Sequence, residues 1–261
     1  MKEVIIKVVK SAIIDIYTDA SVDVGRKISC SGIIVVDRRR GTVISEQYCI
    51  KENATNNAGE IIAIWMAVNA AIQLFWISPM PFEVNIYSDS QISLFGCRDW
   101  LTRWVRCIKN GQMYSTSGAP VANQEWFEDI YHSVISSRLK LRFYHCKGHI
   151  NPTNPRLLFR ADKQFIRSNN TNCDNIGHSI WQVQYYNDLV DNRSRDNLKA
   201  YKASHYLNYK PLEEVYNWNG HTGSPYVALI TGIPMRFNFT MQEIEVYKQL
   251  IKGGYNNPVL Y

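Results

Sequence analysis

The chain has 261 residues, 46% of them hydrophobic and 20% charged, with a formal net charge of +6. That composition supplies enough apolar surface for a core and excludes an intrinsically disordered chain. The length suits one large domain, or a domain of common size with an appendage, and the mild positive excess admits a polyanionic partner without requiring one. Six cysteines at positions 30, 49, 97, 107, 146 and 173 show no CxxC spacing. This argues against a zinc ribbon or redox pair and for isolated thiols. The opening MKEVIIKVVKSAIID is broken by Lys7 and Lys10, and the longest apolar stretch, 61–76, is interrupted by Asn69 and Gln73. Neither reads as a signal peptide or a bilayer span, so a soluble, intracellular, cytoplasmic protein without a membrane partner is expected.

β-branched runs at 13–18, 32–36 and 43–50 predict three strands, separated by turn-like residues at 24–27 and 38–41. Residues 4–9 form either a further short strand or a leader. The segment 58–76 is apolar almost all round, as a helix packed on a sheet would be, and Pro79 and Pro81 end it. A strand over 83–88 and a short helix over 91–97 follow, then a helix over 100–109 and a loop over 110–123. Trp126, Phe127, Ile130, Tyr131 and Val134 have helical spacing within 124–137, and 139–145 reads as a strand. Residues 148–172 read as irregular, and 174–186 as a last helix. The order β-β-β-α-β-α-α-α-β-α predicts an α/β fold: a five-stranded mixed sheet flanked by helices. The boundary is expected at 188/189, with 191–196 as linker and 189–261 as a C-terminal extension. The extension carries eight tyrosines and a capping box, Thr240 to Glu243, that opens a helix to about residue 252. Its tyrosines offer a surface for bases or for a protein partner.

Four acids sit where a free-standing carboxylate is hard to explain. Asp19 ends IIDIYTD, Glu60 lies in an otherwise apolar helix, Asp89 ends VNIYSD, and Asp174 opens the last predicted helix. Carboxylates converging at one end of a sheet repel one another unless cations neutralise them, and hard oxygen ligands suit Mg²⁺ or Mn²⁺. Two such ions could activate a water and stabilise the leaving oxygen of a phosphoryl displacement. Taken singly, each acid could equally be a helix cap or a solvated end. Asp15, on the same strand as Asp19, is expected to be structural, as are His145 and His178.

Together these segments resemble the type-1 ribonuclease H family. IYTDAS resembles the first-strand motif, TNNAGEIIAIWMAV the hybrid-binding and glutamate segment, and IYSDSQ the central-strand motif. KGHIN resembles the histidine loop and NTNCDNIG the segment of the fourth carboxylate, so the resemblance covers 13–182. It implies a ribonuclease-H-like fold and cleavage of the RNA strand of RNA–DNA hybrids by two ions, leaving 3′-hydroxyl and 5′-phosphate ends. Asp19, Glu60, Asp89 and Asp174 would be the metal ligands, with His149 assisting proton transfer. Thr55, Asn56, Asn57 and Gln91 would contact the hybrid, the amides reading the 2′-hydroxyls that distinguish RNA from DNA. Trp100 and Trp104, beside Arg103 and Arg106, resemble the start of a substrate-gripping handle, with core packing as the competing role.

The sequence also departs from the family. Its first turn, SVDVGRKISCSG, lacks the usual glycine- and proline-rich pattern, and Lys109 is the only cation in 108–123. Conversely, 138–172 holds eight Lys/Arg against one acid, Asp162. Such a basic loop could replace part of the handle's phosphate contacts, or be a solvated surface. Two other functions remain open at this point: a related nuclease or strand-transfer enzyme acting on DNA, and a non-catalytic hybrid-binding scaffold.

Overall fold

The computed structural model describes residues 12–77, 82–137 and 139–205. Three antiparallel strands open it: β1 (Ala12–Asp23), β2 (Ile28–Asp37) and β3 (Thr42–Lys51). Helix α1 (Asn56–Ile77) then crosses over to β4 (Phe82–Ser88), which pairs parallel to β1. Helix α2 (Gln91–Phe95), a π-helical turn (Gly96–Trp100) and α3 (Leu101–Arg106) form one bent helical arm. After α4 (Gln124–Ser137), strand β5 (Leu141–His145) pairs parallel to β4 and completes a five-stranded mixed sheet of order β3-β2-β1-β4-β5. The predicted fold class is the observed one.

The period-2 alternation of β1 divides the core. Ile14 and Ile16 pack with Ile33, Val35, Val84 and Ile86 beneath α1, whereas Tyr17 packs with Ile34, Tyr87 and Tyr144 on the opposite face. Because α1 lies between the sheet and α4, almost every side of it is apolar. Its stretch Asn56–Phe75 is long and apolar enough to cross a membrane, but 83% of its most apolar window is buried inside the fold. It is a core helix, as its sequence suggested.

Three sequence expectations change here. Residues 148–172 are not irregular throughout: α5 (Pro155–Asn169) is capped by the Asn154 side chain and ends at Asn170 in the left-handed conformation. The last helix does not begin at 174, where a 3₁₀ turn (Asp174–Ile176) stands instead; α6 spans Ile180–His205. The expected boundary at 188/189 and the linker at 191–196 therefore fall inside one continuous helix. Val190, Ser194, Leu198 and Tyr201 of α6 are buried, continuing the spacing of Val183, Tyr186 and Asn187, and α6 packs on β1 and β2. The readings of 4–9 and of the extension beyond 205 lie outside the described residues.

Asp15, Asn85 and His178 explain themselves on the α6 face. Asp15 is fully buried and paired with Arg38, whose Nε donates at 2.6 Å. Asn85 Nδ2 also donates to Asp15, at 3.1 Å, and His178 Nε2 shares a 2.6 Å hydrogen bond with the Tyr17 hydroxyl. A buried pair satisfied on this many sides fixes packing rather than chemistry. His145 is buried too, with its ring between Ser168 Oγ at 3.1 Å and the Asp89 carbonyl at 3.2 Å.

Candidate active site

Asp19 lies near the end of β1, Glu60 in the second turn of α1, and Asp89 just beyond β4. One carboxylate oxygen from each comes within 4.8 Å of the other two. Close backbone approach makes this possible. A Cβ on Gly59 would fall 2.0 Å from Ser29 Oγ, so only glycine lets α1 sit this low on the sheet. Ser31 Oγ donates to the Gly59 carbonyl at 2.7 Å and fixes the helix there. A Cβ on Gly148 would likewise fall 2.2 Å from Asp89 Oδ2, so the loop after β5 lies directly on that carboxylate.

The electrostatics are those of a site built for cations. Asp19 and Glu60 are 4% and 6% exposed. Burial pushes the carboxyl of Asp19 well above its ordinary range, and the neighbouring Asp89 and Asp191 push it further. Glu60 is raised by burial, then by Asp19 and Asp89. Asp89 is raised by burial too, against the opposing pull of His149 and of a hydrogen bond from Asn187. Glu60 Oε2 is buried with no hydrogen-bond partner. An unpaired oxygen among repelling carboxylates is costly unless a cation completes it, and an all-oxygen donor set fits Mg²⁺ or Mn²⁺.

The sign of the resulting pH dependence follows directly. Folded-state values above the ordinary 3.8 and 4.5 mean that, in that window, the folded chain binds more protons than the unfolded one. Stability without metal therefore falls as pH rises through the window. Binding a divalent ion requires the ionised carboxylates, so it should restore stability only at the higher pH. At Mg²⁺ about 100-fold above its Kd, Tm is expected to rise by roughly 5–10 °C near pH 7 and hardly at all near pH 4. Thermal melts with Mg²⁺ and with chelator check this.

Asp191, not Asp174, is the further acid that the fold brings beside Asp19 and Asp89. Asp174 is exposed at the start of the 3₁₀ turn and is not brought to the cluster. Asp191, in the middle of α6 and 8% exposed, raises both Asp19 and Asp89. One turn earlier, Asn187 hydrogen-bonds Asp89 and accepts from Cys146 Sγ at 3.1 Å. Gly32, paired with Asp19 across the β1–β2 ladder, lets α6 come this close, since a Cβ there would fall 2.3 Å from Ser194 Oγ. The missed signal was the helical spacing Val183, Asn187, Val190, Asp191, Ser194, which carries α6 through its alternating charges.

His149 stands over this group. Its backbone is left-handed (φ 53°), its side chain is 80% exposed, and its Nδ1 lies 3.4 Å from Asp191 Oδ2. Around the site, Thr55 caps α1 by accepting from the Ala58 N–H at 3.2 Å, leaving Asn56 and Asn57 exposed, respectively four and three residues before Glu60. That spacing puts their side chains on the helix face that carries Glu60. Gln91 is exposed two residues after Asp89. Of the two tryptophans, Trp100 is 37% exposed, whereas Trp104 is 9% exposed and packs edge-on to Phe127 at 5.1 Å. Trp104 belongs to the core, so a substrate grip can be expected of Trp100 alone.

The chain resembles known proteins in sequence. The family model for RNase H matches residues 11–178, well over half of the chain. A ribonuclease H of Xanthomonas campestris is 30% identical over 116 residues, covering 44% of this chain and 68% of that protein. A ribonuclease HI of Haemophilus influenzae is 27% identical over 136 residues, covering 52% and 78%. Among solved structures, LC11 ribonuclease H1 in complex with an RNA/DNA hybrid aligns with a TM-score of 0.39 and 21% identity, over 60% of this chain and 96% of that one. With the family match extending over β1 to β5 and all three clustered carboxylates, the chain belongs to the ribonuclease H family.

Proposed function

We propose that this ribonuclease H is an endonuclease that hydrolyses the RNA strand of RNA–DNA hybrids with two divalent ions, Mg²⁺ or Mn²⁺, leaving 3′-hydroxyl and 5′-phosphate ends. The observation that carries the reading is the buried trio Asp19, Glu60 and Asp89, gathered within 4.8 Å with one Glu60 oxygen unpaired. Bound there, the ions would supply Lewis-acid stabilisation of phosphoryl oxygens and a more acidic water. Asp19, Glu60 and Asp89 would hold them, and Asp191, buried on α6 beside Asp19 and Asp89, would complete the acidic set. Asn187 fixes the Asp89 carboxylate from one side and Gly148 leaves room for it on the other. His149, with Nδ1 facing Asp191, keeps its other ring nitrogen free to carry a proton to or from solvent.

Selectivity for RNA falls to Asn56 and Asn57, exposed short amides one turn from Glu60 that can both donate to and accept from a 2′-hydroxyl. Thr55 and Gln91 flank them, and Trp100 offers an aromatic face to the second strand. All six cysteines are unpaired thiols, which supports a reducing, cytoplasmic setting. The end chemistry is directly testable. Cleaved RNA strands should be extendable by a polymerase without prior phosphatase treatment. Products ending in 2′,3′-cyclic phosphate would overturn the metal-assisted hydrolysis, because they require attack by the RNA's own hydroxyl.

A further inference from the structure

Helix α5 carries a surface that the cleavage reaction does not use. Arg156, Phe159, Arg160, Lys163, Ile166 and Arg167 are all exposed, whereas Ala161 and Phe165 are buried against the body of the protein. At 100° per residue the four cations fall within an arc of about 60°, opposite Phe165, with Phe159 and Ile166 along one edge. None of the four has an ion-pair partner among the described residues, and Asp162 lies off the stripe. Lys163 Nζ sits 4.3 Å above the Phe159 ring. The stripe runs over 12 residues, 156–167, about 16 Å from end to end, the length of roughly five successive nucleotides of one duplex strand.

The C-terminal end of α5 is tied to the catalytic centre. Asn169 Oδ1 accepts from the His145 N–H at 2.8 Å, its Nδ2 donates to the His145 carbonyl, and the His145 ring bonds the Asp89 carbonyl. Arg98, at the base of the arm that bears Trp100, donates to Asn169 Oδ1 at 3.1 Å and to the Ser168 carbonyl at 3.2 Å. The stripe thus starts beside the backbone of a metal-ligand candidate and leads away from it on a rigid element. Meanwhile the loop after α3 offers only Lys109.

We infer that α5 is a second nucleic-acid contact: its cationic stripe binds the phosphate backbone of the hybrid outside the cleavage site and lengthens the footprint of the enzyme. This rests on the hybrid-cleaving reading above for the identity of the duplex. The chemistry that recognises it is an array of unpaired guanidinium and ammonium groups at phosphate spacing, with Phe159 against a sugar or base edge.

The test compares the full chain with a variant carrying Arg156→Gln, Arg160→Gln, Lys163→Gln and Arg167→Gln, all exposed positions. Binding to hybrids of about 8 and about 24 base pairs is followed by fluorescence anisotropy with chelator present, so that cleavage plays no part. For the long hybrid, the slope of log K against log salt should fall in magnitude by about 2–3 in the variant. Between about 50 and 200 mM salt, wild type should therefore lose about 15- to 60-fold more affinity than the variant. The short hybrid should bind both proteins alike, and a variant carrying Arg156→Lys, Arg160→Lys and Arg167→Lys should keep the wild-type slope. An unchanged slope on the long hybrid overturns the inference, as does an equal loss on both lengths. Failure of the cleavage reading looks different: no hybrid is cut by wild type in Mg²⁺, whatever the salt slopes.

Discussion

Glu60→Gln is expected to reduce kcat on a hybrid by about a thousandfold or more while leaving hybrid affinity within about twofold. The substitution keeps shape and removes one charge at a buried point of the cluster, where Oε2 has no partner in the protein. A loss of that size is about 4 kcal/mol of transition-state stabilisation, the scale on which single preorganised electrostatic groups act. Affinity is spared because Asn56 and Asn57 keep their places on the same helix face, and the Thr55 cap is untouched. A second readout separates chemistry from folding. Since Asp19 and Asp89 both press on Glu60, removing its charge should make the metal-free protein more stable near neutral pH and blunt the Mg²⁺-induced rise in Tm. A variant that cleaves at near wild-type rate would remove Glu60 from the metal site.

The second large effect distinguishes two aspartates. Asp191→Asn should lower kcat by about a hundredfold, whereas Asp174→Asn should leave it within about twofold. Asp191 is buried, faces Asp19 and Asp89 electrostatically, and lies 3.4 Å from His149. Asp174 is exposed on the 3₁₀ turn. Asp191 also pairs with Arg195, but that arginine is 43% exposed and its release into solvent costs little stability. Steady-state kinetics on both variants, with denaturation curves alongside, check the pair. The reverse ranking would make Asp174, on the 3₁₀ turn, the fourth acid of the site.

The contrast shows what the sequence could and could not reveal. β1, α1 and β4 were legible because each motif acid borders a periodic apolar run: the alternation around Tyr17 and Asp19, the apolar helix that follows Glu60, the strand before Asp89. The sheet and three ligand candidates followed from those patterns. Asp174 was chosen because it opens the last predicted helix and NTNCDNIG resembles the family's segment of the fourth carboxylate. Helix α5 lies between His149 and Asp174. Its helical period was hidden by Pro155, which reads as a breaker yet sits at the first turn, where its missing N–H costs nothing. The i, i+4 pair of Asp191 and Arg195, typical of a helix surface, looked like the charge alternation of a linker. Trp104 illustrates the opposite error. An aromatic beside arginines suggested a grip, but helical spacing turns it towards Phe127 and the core.

The central claim is that the carboxylate cluster cuts RNA in a hybrid. It is tested most directly by incubating the full chain and its Asp89→Asn variant with Mg²⁺ and labelled RNA–DNA, RNA–RNA and DNA–DNA duplexes of one sequence. Cutting confined to the RNA strand of the hybrid, and lost in Asp89→Asn, is the predicted result. Cutting of DNA–DNA at a comparable rate, or hybrid binding with no cleavage in Mg²⁺ or Mn²⁺, would contradict it.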